Sequence, residues 1–283
     1  KKMLIANAMA LPTDQIFALP ASELTAPVAW LGAICYTFQI YFDFSGYSDM
    51  AVGLGLMFGF RLPENFNYPY AGRSMREFWQ GWHISLSNWF RDYLYIPLGG
   101  NKVSEARTCL NLLIVFFLCG LWHGANWQFV AWGLYHGGFL GAERVLSGRV
   151  SLEKHFPKLV WNVLQHAYVG LAVICGWVLF RASSFPQAMS FYQAMFGFGS
   201  RQNNVPVETF LTAEVSLILV LAFFLALPIH RYCERLFKDG SSWKANLLTV
   251  VGPVRTAWVL ALFGLCTLEV ASGTYNPFIY FRF

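Results

Sequence analysis

The sequence predicts an all-α polytopic membrane protein, a helical bundle with re-entrant helices enclosing a tunnel. Composition is the first observation behind this class. Of the 283 residues, 56% are hydrophobic and only 12% are charged, whereas a soluble domain has about 25% charged residues. The second observation is that several apolar stretches approach the ~20 residues that cross a bilayer as a helix. Together they exclude a disordered chain and argue against a water-soluble domain.

The apolar segments define the expected helices in chain order. A Ser45-Gly46 pair lies between the first two segments, and such pairs are sites where helices kink, so these segments form one broken helix or two short ones. Pro253 shortens the apolar part of the last segment to about 256–271. The full set is 27–42, 48–60, 108–122, 126–142, 159–180, 211–229 and 247–271.

The distribution of positive charge predicts the orientation. The net charge is +5, and the basic residues lie mostly in short loops rather than on the continuous basic face that binds nucleic acid. Lys and Arg occur in the loops 101–107, 143–158 and 230–244, and two expected spans separate each loop from the next. Because cytoplasmic loops are enriched in Lys and Arg, we expect all three on the cytoplasmic side of a multi-pass protein that contacts membrane lipid and no nucleic acid.

Residues 61–100 mix aromatic and charged side chains and contain no apolar window of 18 residues. Polar segments at membrane depth are tolerated only where protein or a water-filled cavity surrounds them. We therefore expect amphipathic and re-entrant helices folded into the bundle from the cytoplasmic side. The alternative is a surface helix in the membrane interface, with Trp79, Trp82 and Trp89 as its anchors.

Cysteine and carboxylate patterns give no sign of a resident metal or bound cofactor. The six cysteines form no C-x-x-C pair, so neither a disulfide framework nor a zinc site is expected. Asp43 and Asp49 are six residues apart and do not share a helical face. We expect them to bond to helix breaks or to pair with Arg61, Arg73 or Arg76.

His123 is the strongest candidate for chemistry. It follows the apolar run 109–121, which at 1.5 Å per residue covers only about 20 Å of a ~30 Å hydrocarbon core. An imidazole inside the membrane is a candidate general base, because burial keeps it neutral and able to accept a proton. Gly124 allows the helix to break at this point. The alternative is a buried histidine hydrogen-bonded between helices.

His83 is the second candidate. On a continuous helix His83, Ser87 and Arg91 line one face at i, i+4 and i+8, as the wall of a polar tunnel would require. The alternative is a solvated cytoplasmic face. Of the remaining histidines, we expect His155 and His230 to be exposed and His136 and His166 to serve packing.

Five ordered motifs carry a resemblance to a known family. They are Tyr41-Phe42-Asp43-Phe44-Ser45-Gly46-Tyr47-Ser48-Asp49-Met50-Ala51, Leu62-Pro63-Glu64-Asn65-Phe66-Asn67-Tyr68-Pro69-Tyr70, Trp82-His83-Ile84-Ser85-Leu86-Ser87, Tyr93-Leu94-Tyr95-Ile96-Pro97-Leu98-Gly99-Gly100 and Gly120-Leu121-Trp122-His123-Gly124-Ala125-Asn126-Trp127. In these motifs, and in its ending 276–281, the chain resembles the membrane-bound O-acyltransferases (MBOAT), in particular the bacterial branch that acetylates alginate and related polysaccharides.

The resemblance implies the roles of individual residues. It makes His123 the catalytic base and His83 the second active-site residue, which positions the acyl carbonyl or stabilises its developing negative charge. Trp122, Asn126, Ser87, Asn88 and Arg91 are the residues we expect to contact substrate. One departure is Gln80-Gly81, which stands where the family usually has two arginines.

The resemblance also implies the reaction and its setting. We expect an O-acyltransferase, in particular an O-acetyltransferase, of the bacterial inner membrane that acts in alginate or similar polysaccharide biosynthesis. It would move an acyl group from a cytoplasmic thioester, acetyl-CoA or another donor, to hydroxyls of an extracytoplasmic polysaccharide, together with periplasmic or extracellular partner proteins. Residues 1–283 form one MBOAT-like domain and are expected to be the C-terminal part of a longer chain.

Two other functions stay open from the sequence. One is D-alanyl transfer to teichoic acid from a carrier protein, in a sister branch that shares both histidine motifs. The other is a transporter or acyl-relay component whose polar residues line a path and catalyse nothing. Transporters tend to contain paired broken helices or repeated halves, and the sequence shows no such pairing.

The charge distribution predicts the sidedness of three loops. Single cysteines placed in 101–107, 143–158 or 230–244, on a background lacking the native six, should resist an impermeant maleimide in intact cells, because Lys/Arg-rich loops stay in the cytoplasm. Each should become labelled once the membrane is permeabilised. Labelling of any one of them from outside would contradict this topology.

Overall fold

The computed structural model describes residues 1–147, 149, 152–199, 205–229 and 243–273. These residues contain helices and turns and no strand. The helices are α1 (Asn7–Phe17), α2 (Ala26–Met57), α3 (Met75–Gly81), α4 (Ile84–Phe90), α5 (Glu105–His123), α6 (Trp127–Leu146), α7 (Lys158–Arg181), α8 (Phe185–Met195), α9 (Ala213–Leu225) and α10 (Trp243–Ala271). Single π-helical turns precede α1 at Lys2–Ala6 and follow α4 at Arg91–Tyr95.

The all-helical class is confirmed for the described part of the chain. Three described helices are long and apolar enough to cross a membrane: Glu105–His123, Lys158–Arg181 and Gly252–Ala271. Helices α5, α6 and α7 contain the apolar segments predicted for them almost completely. The basic segment 230–242 and the chain ending 276–281 lie outside the described residues.

Helix α2 departs from the expected break. It runs without interruption over 32 residues, Ala26–Met57, through the Ser45-Gly46 pair. A Cβ on Gly46 would lie 3.1 Å from the backbone nitrogen of Lys2. The glycine therefore admits the N-terminal segment against α2 and does not kink the helix.

Two described helices lie outside both the predicted apolar segments and the 61–100 stretch in which helices were expected. Helix α1 contains Pro12, and α8 begins with the side-chain hydroxyl of Ser184 accepting a hydrogen bond from the backbone nitrogen of Gln187. Stacked rings of Phe17 and Phe191, 4.2 Å apart, join the two helices. Both helices are short, and their apolar residues are too few to give a span-like signal.

The pair α5–α6 is the closest helix contact near the histidines. A Cβ on Gly133 would lie 2.1 Å from the carbonyl oxygen of Phe116, and one on Gly120 would lie 2.3 Å from that of Phe129. The two backbones thus touch, as is typical of membrane helices that pack through small residues. This contact fixes the turn between the helices, where His123 lies.

A methyl group at position 133 should disrupt the packing of α5 against α6. Gly133→Ala is expected to destabilise the protein by about 3 kcal/mol, because the clash is with backbone that cannot rotate away. Melting temperature in detergent would measure this. Gly138→Ala on the same helix is the control, because a Cβ at Gly138 meets no atom within 4 Å. Equal melting temperatures for the two variants would contradict the packing argument.

Candidate active site

His123 is the last residue of α5 and is enclosed by aromatic rings. Its imidazole centroid lies 5.2 Å from Trp132 on α6 and 5.0 Å from Phe180 on α7, both nearly perpendicular. The ring of Phe129 closes over the turn, since a Cβ on Gly124 would come within 2.7 Å of it. The absence of a side chain at Gly124 therefore permits α5 to end and α6 to fold back.

The helix that ends at His123 is longer than the apolar run on which the sequence estimate rests. Helix α5 has 19 residues and begins at Glu105, so it is about 28 Å long rather than the ~20 Å apolar run used in that estimate. His123 therefore lies near the far end of the helix.

His83 occupies a strained backbone position between α3 and α4. Its φ and ψ are 44° and 56°, in the left-handed region that few residues other than glycine adopt. The imidazole packs edge-on against Phe44 at 4.7 Å, and its Nδ1 is 3.5 Å from the hydroxyl of Ser85. Burial lowers the pKa of His83 to about 4, so the ring is neutral at physiological pH.

The expected helical face of His83, Ser87 and Arg91 is wrong, because His83 precedes α4 and has no helical conformation. The hydroxyl of Ser87 donates to the carbonyl oxygen of Trp82 at 3.3 Å. The guanidinium of Arg91 pairs with Asp92 at 2.7 Å and is about half exposed. Both side chains thus make contacts with residues near them in the sequence.

Trp122 brings the two histidines together. Its ring centroid is 4.7 Å from that of His123 and 6.2 Å from that of His83. The sum of these distances is the upper limit of the separation between the imidazoles, and it lies below the ~15 Å expected for partners across an acyl group. Asn126, at the start of α6, and Asn88, on α4, are exposed.

Helix α3 begins beside the basic C-terminal end of α6 and runs toward His83 and His123. At its start, the carboxylate of Glu143 accepts hydrogen bonds from the backbone nitrogens of Met75 at 2.6 Å and Arg76 at 3.2 Å. One turn further, the ring of Trp79 lies 5.1 Å from that of His136. The helix then ends at Gly81, two residues before His83.

After α4 the chain returns to the region where α5 begins and α6 ends. The side-chain amide of Asn111 donates to the carbonyl oxygen of Leu98 at 3.1 Å, and Thr108 donates to that of Gly100 at 3.4 Å. Both donors lie in the first two turns of α5. Arg144, near the end of α6, also bonds to Asn101 at 2.9 Å. Residues 75–101 thus form a hairpin whose tip, at His83, reaches the far end of α5.

Close packing explains why position 81 is a glycine, which could not be predicted from the sequence. A Cβ at this position would lie 2.8 Å from the carbonyl oxygen of Asn67 and 3.1 Å from the Cα of Pro69. The absence of a side chain at Gly81 therefore permits the close approach of the 65–69 loop to the hairpin.

The other histidines match the expectation only in part. His136 is fully buried among Trp79, Trp132 and Tyr135, and neither of its ring nitrogens has a hydrogen-bond partner among the described residues. His155 is exposed, as predicted. His166 is also exposed and bonds to the carbonyl oxygen of Asn162, so its predicted packing role is wrong. His230 lies outside the described residues.

The carboxylates Asp43 and Asp49 pair differently from the expectation. Asp43 forms an ion pair with Lys2, both largely buried, and Asp49 pairs with Lys1 at 2.7 Å. Neither contact involves the arginines proposed from the sequence, because the N-terminal segment packs beside α2. In the described ranges no group of His, Cys, Asp or Glu is arranged to hold a metal ion.

The described part of the chain is helical with three candidate membrane-spanning helices, and two of its histidines approach the same tryptophan ring. Comparison with known proteins gives its family. The sequence pattern of the membrane-bound O-acyltransferase family matches residues 21–185, and the chain belongs to that family.

Its relatives include "Probable alginate O-acetylase AlgI" of Pseudomonas syringae pv. tomato, 46% identical over 327 residues, covering all of this chain and 61% of the relative. The "Peptidoglycan O-acetyltransferase" of Helicobacter pylori is 34% identical, covering all of this chain and 54% of its own length. The "Teichoic acid D-alanyltransferase" of Streptococcus thermophilus is 40% identical over 138 residues, 46% of this chain and 31% of its own. The chain spans about three fifths of the alginate O-acetylases that it matches.

Glu143 should prove important for the placement of α3. Glu143→Ala removes the carboxylate that accepts bonds from Met75, Arg76 and the Tyr168 hydroxyl. It is expected to cost about 1–3 kcal/mol, measured as a lower melting temperature. Tyr168→Phe removes only one of these bonds and should have a smaller effect. If Glu143→Ala melts like the wild type, the carboxylate does not hold α3.

Proposed function

We propose that this chain carries the active site of an O-acetyltransferase that modifies an extracytoplasmic polysaccharide. The observation that carries the proposal is the approach of both His83 and His123 to the ring of Trp122 in a chain of this family. Similarity over the whole of this chain to relatives named as alginate and peptidoglycan O-acetyl-transferring enzymes favours a polysaccharide hydroxyl as acceptor.

His123 would act as the general base. It accepts the proton of the acceptor hydroxyl while the oxygen attacks the thioester carbonyl. The C–S bond then breaks, and the thiolate takes up a proton as it leaves. Such general-base assistance contributes typically 10²–10⁴-fold to the rate.

His83 would act on the carbonyl side of the reaction. A neutral imidazole can donate its one N–H to the developing oxyanion, and its fixed backbone reduces the reorganisation needed at that moment. Trp122 forms the wall between the imidazoles, and the exposed amides of Asn126 and Asn88 are proposed contacts to substrate. The local partners of Ser87 and Arg91 argue for structural roles at those two positions.

The hairpin 75–101 supports the re-entrant architecture and the direction of transfer. If α5 crosses the bilayer, a segment that reaches its far end and returns to its first turns enters and leaves on one side. That side carries the basic loops 101–107 and 143–158, which favours the cytoplasm. A tunnel beside the hairpin would admit acetyl-CoA or another thioester from there, and the acceptor from the periplasm of a bacterial inner membrane.

D-Alanyl transfer to teichoic acid is the second candidate function. The similarity to the streptococcal enzyme, which extends over 46% of this chain, favours this function. It would use the same base and carbonyl contacts with a carrier-protein thioester. Measuring ester-linked acetyl and D-alanyl groups in the same cells distinguishes the two reactions.

Replacement of either histidine should abolish transfer. His123→Gln and His83→Asn, in the full-length protein at matched membrane amounts, are expected to lower polysaccharide O-acetyl content at least about 100-fold. Asparagine tolerates the left-handed conformation, so His83→Asn removes the imidazole without relieving the backbone. The exposed His155→Ala is the control.

Two results would contradict these assignments. Retention of more than about a tenth of wild-type transfer by folded His123→Gln would remove the general base. Wild-type transfer by His83→Asn would remove His83 from the active site. If both variants lose D-alanyl rather than acetyl ester, the second function replaces the first.

A further inference from the structure

The backbone of His83 requires an external restraint. Among the described residues other than glycine, only Tyr68 and His83 have positive φ values. Such a conformation costs of order 1–3 kcal/mol and persists only where the surroundings impose it. The imidazole is held by an aromatic edge contact and a 3.5 Å approach to Ser85, which are weak restraints on the backbone.

The restraint comes from Asn65, which lies on a different segment of the chain. Its carbonyl oxygen accepts a hydrogen bond from the backbone nitrogen of Ile84, and its side-chain Oδ1 accepts one from that of Ser85, both at 3.0 Å. These are the first two amides of α4, which have no acceptor within their own helix. One residue therefore satisfies both amides directly after His83.

The same loop holds the chain before His83. The backbone nitrogen of Asn67 donates to the carbonyl oxygen of Gly81 at 2.9 Å, at the close approach that Gly81 permits. The turn 81–85 is thus held on both sides of His83 by one loop. Within this clamp, the Oδ1 of Asn65 is the side-chain contribution, so it is the part that a substitution can remove.

We propose that Asn65 is a positioning residue for His83, an inference that rests on the role of His83 in the proposed function. Ser85 links the two residues, because its backbone nitrogen bonds to Asn65 while its hydroxyl approaches Nδ1 of the imidazole. Loss of the Asn65 acceptor frees the start of α4 and lets the imidazole move away from Trp122. A displacement of about 1 Å in a catalytic group can cost on the order of 100-fold in rate.

Paired variants test the proposal in the full-length protein. Asn65→Leu has similar size and no acceptor, whereas Asn65→Asp keeps an oxygen at the same place. We expect Asn65→Leu to lower the O-acetyl content of the polysaccharide about 100-fold per amount of folded protein. Asn65→Asp should stay within about threefold of the wild type, because a carboxylate accepts the same bond. Glu64→Leu, at the exposed neighbouring position, is the control.

The outcomes separate the proposal from a general role in stability. Loss in Asn65→Leu with rescue in Asn65→Asp supports positioning. Near-wild-type transfer by Asn65→Leu overturns it, as does equal loss in both folded variants. If Asn65→Leu does not accumulate, Asn65→Ala removes the same acceptor without bulk and is judged by the same criterion. His83→Asn is measured in parallel. Wild-type transfer by this variant would overturn the role of His83 itself, whatever result the Asn65 variants give.

Discussion

The contact between the backbones of α5 and α6 is the constraint on which the site depends. Gly120 and Gly133 let the backbone of each helix approach a carbonyl oxygen of the other. A side chain at either position would force the two backbones apart. In a membrane, where apolar side chains gain nothing by leaving lipid, such close packing is a main source of helix association. The tight hairpin forces a sharp turn after His123, and the turn directs its imidazole toward Trp132 and Phe180 rather than into lipid.

The hairpin of α3 and α4 depends on this first pair. Trp79 packs between Phe116 of α5 and Trp132 of α6, with ring centroids 4.9 and 5.7 Å away. Glu143 fixes the start of α3 at the opposite end. The start of α3 is hydrogen-bonded and its middle is packed. The position of His83 is therefore set by the length of α3 and by the loop that holds Gly81 and Ile84. The lengths of the helices and the close contacts at glycines thus bring together His83 and His123, which are 40 residues apart in the sequence.

The sequence predicted the parts of the fold and site that local patterns encode. The apolar runs located α5, α6 and α7, and the Trp122-His123-Gly124 break marked the end of α5. Other features arise from contacts between distant segments and have no local signal. The bonds of Asn65 to α4 and of Glu143 to α3 are of this kind, and so is the left-handed conformation of His83. Local periodicity therefore placed His83 on a helical face that does not exist.

Several charged side chains in the described part of the chain are paired with a neighbouring side chain of opposite charge. Asp43 pairs with Lys2, and Asp14 pairs with Arg181 beneath the ring of Phe17. Arg91 pairs with Asp92 at the surface. Each pairing reduces the field that a lone charge would exert in a low-dielectric interior. A general base must be neutral before it accepts a proton, and an aromatic enclosure favours the neutral imidazole because it solvates the cation poorly. The rings that pack the hairpins together therefore also supply the environment that the proposed chemistry requires.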